Sequence, residues 1–135
     1  MSKIESKKVV VPAPANAVHD FLCDMHNIEK LLPAGKYSDW KSDGKSCSFK
    51  VQGAYNIGLI FVSSEPAKQV SYESSQGSPF PFTLSVHLDE TQGSTASQLF
   101  CDAQINPFLE MMVKSPLKNL FDYMADKLTT QFTAV

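Results

Sequence analysis

Two side-chain periods, and the point where one replaces the other, constrain this chain more than any single motif. In successive runs between Cys47 and Ile105, apolar residues take every second position. Cys47, Phe49 and Val51 alternate with Ser48, Lys50 and Gln52. Phe82, Leu84, Val86 and Leu88 alternate with Thr83, Ser85, His87 and Asp89. Leu99, Cys101, Ala103 and Ile105 alternate with Gln98, Asp102 and Gln104, with Phe100 breaking the polar side. Period two places one set on each face of a sheet. The spacers are short and carry turn chemistry: Asp43-Gly44, Glu65-Pro66-Ala67-Lys68, the Ser/Gly/Pro-rich stretch 74–81, and Gln92-Gly93-Ser94. Short spacers between alternating runs predict a meander of antiparallel strands.

At Asn106-Pro107 the period changes. Leu109, Met112, Val113, Leu117, Leu120, Phe121, Met124 and Leu128 keep helical spacing almost to the end. Asn106 is a good N-cap and Pro107 a good first helical residue. Pro116 falls inside this helix, where it removes one backbone bond and predicts a kink or widened turn.

The first third is more mixed. Residues 3–11 read as a strand ending at Pro12. Val18, Phe21, Leu22 and Met25 then recur at helical spacing from Ala15 to Asp24. Asn27 is expected to cap a second short helix, Ile28–Leu32, stopped by Pro33. The segment Asn56–Ser64 is apolar at most positions and is expected to be covered on both sides. With 135 residues and no linker or repeat, the chain reads as one α+β domain over residues 1–135.

Composition narrows function by exclusion. All 12 basic residues are Lys, and the net charge is −2. Without Arg, the planar fork that grips phosphates and guanine edges is missing, so no nucleic-acid partner is expected. No GxxxxGK[ST] phosphate loop occurs. Three dispersed cysteines, Cys23, Cys47 and Cys101, form no disulfide framework and read as free thiols in a reducing compartment. No apolar run is long enough for a signal h-region or a membrane span, so a cytoplasmic location is expected.

A strand, two small helices, about six antiparallel strands and one long helix form the helix-grip layout. The segments VPAPANAVHDFLCDMHNIEKLLP (11–33) and INPFLEMMVKSPLKNLFDYMADKL (105–128) resemble the helix pair and closing helix of the START-like superfamily. That superfamily, also grouped as SRPBCC, includes Bet v 1-like proteins, polyketide cyclases and lipid carriers. His19 departs from it, standing where the family often carries an aromatic residue. The resemblance implies a helix-grip fold, with a curved sheet of about six to seven strands around the C-terminal helix. It also implies a cavity between them that binds a small hydrophobic molecule.

By alternation, Phe49, Val51, Leu59, Phe61, Tyr72, Phe82, Leu84, Val86, Leu99 and Cys101 should face the long helix. Met112, Pro116, Leu120 and Met124 should answer them. Met111, Met112 and Met124 would make an adaptable lining. A filled core has the same pattern, so periodicity leaves cavity and core both open. Tyr55, Tyr72, Tyr123, Ser97 and Cys101 could each offer a ligand one hydrogen bond. No catalytic pairing, metal or cofactor is expected. His19, Cys23 and His26 would share a face only if one helix ran through all three, and that helix is expected to end near Asp24. The scattered carboxylates, including Asp122 and Asp126, read as solvated.

The expectation is therefore a binding or transport protein for a lipid, isoprenoid or aromatic metabolite, monomeric or weakly dimeric. A cyclase- or dehydratase-like enzyme using Tyr72 as acid is the first alternative. An interaction module of the co-chaperone kind is the second, with an exposed patch at Phe80 and Phe82. Gly77-Ser78-Pro79-Phe80-Pro81 reads as a cavity mouth in which Phe80 can plug, or as a plain turn.

Overall fold

The computed structural model describes residues 2–33, 35–51, 56–66, 68–75, 78 and 80–132. Eight strands form one antiparallel sheet: Ser2–Glu5 (β1), Val9–Val11 (β2), Tyr37–Ser42 (β3), Ser46–Val51 (β4), Asn56–Glu65 (β5), Gln69–Ser74 (β6), Phe82–Thr91 (β7) and Ser94–Ala103 (β8). Their order is β1-β8-β7-β6-β5-β4-β3, with β2 also paired to β8. Ala15–Cys23 (α1) and a 3-10 helix, Met25–Leu31, follow β2, and Pro107–Gln131 (α2) closes the fold. This is the expected helix-grip α+β architecture.

The strand expected over residues 3–11 is split in two, which accounts for the extra strand. At the break, Ser6 N–H donates to Leu99 O at 2.9 Å, and the Ser6 hydroxyl accepts from Leu99 N–H at 2.9 Å. A side chain thus replaces the main-chain acceptor that the interruption removes from β8. The carboxylates of α2 hold the break from outside. Asp122 accepts from Lys7 N–H at 2.6 Å, and Asp126 pairs with the Lys7 ammonium at 2.7 Å. These two are therefore tied to the strand break rather than simply solvated.

Turn chemistry fixes the sheet's register. Gly44, at φ 87°, completes the β3–β4 hairpin, and Asp43 accepts from the N–H groups of Lys45 and Ser46. Gln92 and Gly93 both take positive φ in the β7–β8 turn, as a two-residue hairpin requires. Asp39, at φ 57°, lies between Ser38 and Lys41, where the β3–β4 register shifts.

Helix boundaries differ in instructive ways. Asn106 caps α2 by accepting from Leu109 N–H at 2.8 Å, as expected. The 3-10 helix starts earlier than expected, because Asp24 caps it by accepting from His26 N–H. Helix α2 continues through Pro116. The carbonyl that loses its partner there belongs to Met112, an exposed residue, so water can satisfy it.

Strand β5 is not covered on both sides. Ile57 and Leu59 are buried, but Ile60 and Val62 are exposed on the outer face. Apolar content here misled because an antiparallel sheet can carry apolar residues on its solvent face.

Candidate functional site

The concave face of the sheet and α2 meet in an apolar seam. The α2 backbone approaches β1, β2, β8 and the 3-10 helix, while α1 covers β6, β7 and β8. Large side chains fill the remaining gap: Phe49, Ile57, Leu59, Phe80, Phe82, Leu84 and Cys101 from the sheet side, and Leu117, Leu120, Phe121 and Met124 from α2. The space left between them is about 10 Å³. That is the volume one water needs, and the lining offers no polar partner to hold one. The seam is a packed core.

Open space lies beside it. A groove of about 220 Å³ runs between the end of the 3-10 helix, β3, β4 and α2. Phe49, Val51, Leu32, Pro116 and Leu120 give it apolar walls, and Lys36, Tyr37, Asn119 and Tyr123 give it polar ones. Phe49 and Leu120 wall both the groove and the seam, so only side chains separate the two. Tyr37 is oriented by donating its hydroxyl to Glu29 at 2.9 Å, and that bonded carboxylate holds the phenol's pKa above its ordinary value.

The sequence-predicted residues divide accordingly. Phe49, Leu59, Phe82, Leu84, Cys101, Leu120 and Met124 line the seam. Val51 and Pro116 line the groove. Val86, Leu99 and Tyr72 are buried but line neither, and Phe61 is half-buried with its ring edge-on to Tyr72.

Two expectations on α2 are corrected. Met112 is 55% exposed and Met111 85%, so neither lines a cavity, and Pro116 is exposed at the groove's rim. At 3.6 residues per turn, each step of four rotates a helix position by about 40°. Met112 therefore lies about 120° around the helix from Met124. The buried face is Val113, Leu117, Leu120, Phe121, Met124, Ala125 and Leu128. All of those but Ala125 were in the apolar series, and tracing the arc would have found them. Lys36, Tyr37 and Asn119 had no such local signal.

The polar candidates are committed elsewhere. Tyr72 is fully buried and donates to Leu22 O, so it is not positioned as a cavity acid. The buried Ser97 hydroxyl is bonded to Thr95 O, and Tyr55 lies outside the described residues. Tyr123 reaches the groove. His19 contacts Cys23 on α1, but His26 sits on the 3-10 helix and bonds Ser42. Among the described residues, no group of His, Cys, Asp and Glu could hold a metal. His87 faces outward, its ring 4.4 Å from that of Phe100. Burial pushes the Cys47 and Cys101 thiols up to about 12.

Phe80 and Phe82 form neither an exposed patch nor a free plug. Phe80 is 5% and Phe82 6% exposed, with ring centroids 5.9 Å apart, so the patch expected there is absent. Three of the exposed apolar side chains among the described residues, Phe108, Met111 and Met112, lie instead on the first turns of α2. Ser75 N–H donates to Gly58 O, and Ser78 Oγ accepts from Gly58 N–H. A Cβ on Gly58 would overlap the Ser75 side chain, so glycine is what allows this close approach. Gly77 and Pro79 lie outside the described residues.

No family model matches the sequence, and no curated protein does. Solved structures do match. A point mutant of norcoclaurine synthase from Thalictrum flavum, in complex with a transition-state analogue, is similar at a TM-score of 0.76 and 15% identity, covering 97% of this chain and 93% of that one. At this identity the likeness shows a shared fold. The same synthase with dopamine and hydroxybenzaldehyde gives 0.71 at 16% identity, covering 96% of this chain and 85% of that one. The protein XoxI from Bacillus cereus gives 0.75 at 10% identity, covering 98% and 96%. No helix among the described residues is long and apolar enough to cross a membrane.

Proposed function

We propose that this protein binds a small hydrophobic molecule in the groove beside α2, with the ligand's apolar body against Phe49, Val51 and Leu120. The observation that carries the reading is the groove itself, a half-open apolar space of about 220 Å³ in a helix-grip fold. Norcoclaurine synthase, whose fold is similar, was solved with dopamine and hydroxybenzaldehyde, which fits the use of this architecture for small aromatic molecules.

Volume argues for an aromatic metabolite over a lipid or isoprenoid chain. Pockets for drug-sized ligands measure roughly 300–1,000 Å³. The groove falls below that range, and the seam behind it has no room for a chain unless Phe80 or α2 moves. An enzymatic role has less support, because the tyrosine best placed in sequence to act as acid is committed to a backbone carbonyl.

Native mass spectrometry of the freshly purified protein, repeated under denaturing conditions, tests the reading. A mass excess below a few hundred daltons that vanishes on denaturation supports it. An adduct of lipid mass would overturn the aromatic assignment. If the protein carries no adduct, and small aromatic probes leave the amide resonances of Val51, Leu120 and Tyr123 unmoved, the groove is not a ligand site.

A further inference from the structure

We infer that the ligand of this groove is a small monocarboxylate, an apolar body of roughly aromatic size with one anionic end; the inference rests on the groove being the binding site. Among the described residues, the groove wall carries one charged side chain, Lys36. Lys36 is exposed, and no ion pair joins it to a described residue. Asn119 stands in the same wall, contributed by α2, and its side-chain amide brings two donors. Tyr123, 36% exposed, adds a hydroxyl.

The groove therefore offers an ammonium, an amide and a phenol beside an apolar floor. One carboxylate is bonded to a wall residue: Glu29 accepts from the Tyr37 hydroxyl through one oxygen at 2.9 Å and keeps its charge, but does not itself line the groove. These groups discriminate among ligand charges. A cationic amine would meet the like charge of Lys36 and find no carboxylate in the wall. A neutral molecule would gain the apolar floor but leave the ammonium to water. A carboxylate gains the floor, a charge-assisted bond from Lys36 and an acceptor role toward Asn119. Two acidic ends would not be matched, because the wall has a single cation.

Lys36 is in water, so its contribution should be modest and sensitive to salt. The test uses matched neutral and acidic probes, benzyl alcohol with benzoate and 2-naphthylmethanol with 2-naphthoate. Each is titrated at neutral pH and low ionic strength, with affinity read by calorimetry and location by amide chemical shifts. We expect each acid to bind about fivefold tighter than its alcohol, the upper range for an exposed ion pair. In Lys36→Met, which keeps the apolar stem, the gap between each acid and its alcohol should close. Equal binding of acid and alcohol in the unmodified protein overturns the carboxylate inference and leaves small-molecule binding standing, and a gap that survives Lys36→Met overturns Lys36 as the group that recognises the carboxylate. If no probe shifts the groove amides, both the inference and the binding reading fall.

Discussion

The Tyr72 hydroxyl on β6 donates a 2.6 Å hydrogen bond to the carbonyl oxygen of Leu22, in the last turn of α1. Carbonyls in a helix's last turn lack an intrahelical partner, and here the sheet supplies one across 50 residues of sequence. Burial pushes the phenol well above its ordinary value, so it remains a donor throughout the working pH range. Tyr72→Phe should leave the Leu22 carbonyl buried and unpaired, lowering stability by about 1–3 kcal/mol. Urea denaturation reads this directly, and an unchanged midpoint would show that the bond carries no net stability.

Phe80 fills the seam from the side of the β6–β7 connection. Phe80→Ala should cost about 3–5 kcal/mol if the void stays open, and less if α2 settles inward. The two cases separate on adding benzene. An open apolar void should bind it and raise the midpoint of thermal unfolding, whereas a collapsed one should not respond.

Ser6 is the hinge of the split edge strand. Ser6→Ala removes the acceptor for the buried N–H of Leu99, for an expected loss of about 1–3 kcal/mol. Hydrogen exchange localises the effect: the Leu99 amide should exchange faster, while amides on β5 and β6 keep their protection. Unchanged exchange at Leu99 would mean that another acceptor replaces the hydroxyl.

The buried thiols set an alkaline limit on stability. Cys47 and Cys101 are pushed up to about 12 by burial, from an ordinary value near 9. Between about pH 9 and about pH 12 the unfolded chain has shed these protons while the folded chain keeps them. The folded state then binds more protons, so stability falls as pH rises through that window. Denaturation midpoints should be flat in this respect below about pH 8 and decline above about pH 9. In the folded protein at neutral pH both thiols should resist a thiol reagent, with Cys23, only half-buried, reacting first. Prompt labelling of Cys101 would show that the seam opens on the timescale of the reaction.

The local parts of the structure were legible in the chain, because their causes are local. Alternation at Phe82, Leu84, Val86 and Leu99 fixes which face of a strand is buried. Asn106-Pro107 fixes where α2 begins, and Asp43-Gly44 where a hairpin turns. The break at Ser6 was not legible, since the hydroxyl that bridges it acts on Leu99, 93 residues away. Nor was the outward turn of Ile60 and Val62, because an apolar run does not state which neighbours will cover it.

By itself, the sequence determined the order of elements, the α+β class and most of the residues that face inward. The tertiary structure alone decided whether that interior is a cavity or a core. Periodicity assigns a side chain to a face, but an empty volume depends on the distance between two faces and the size of every group projecting into it. Phe80, Phe121 and Leu117 take up that distance and leave about 10 Å³ in the seam. The groove exists for the same reason, because Lys36, Asn119 and Tyr123, far apart in the chain, meet only where α2 passes the β3–β4 side of the sheet.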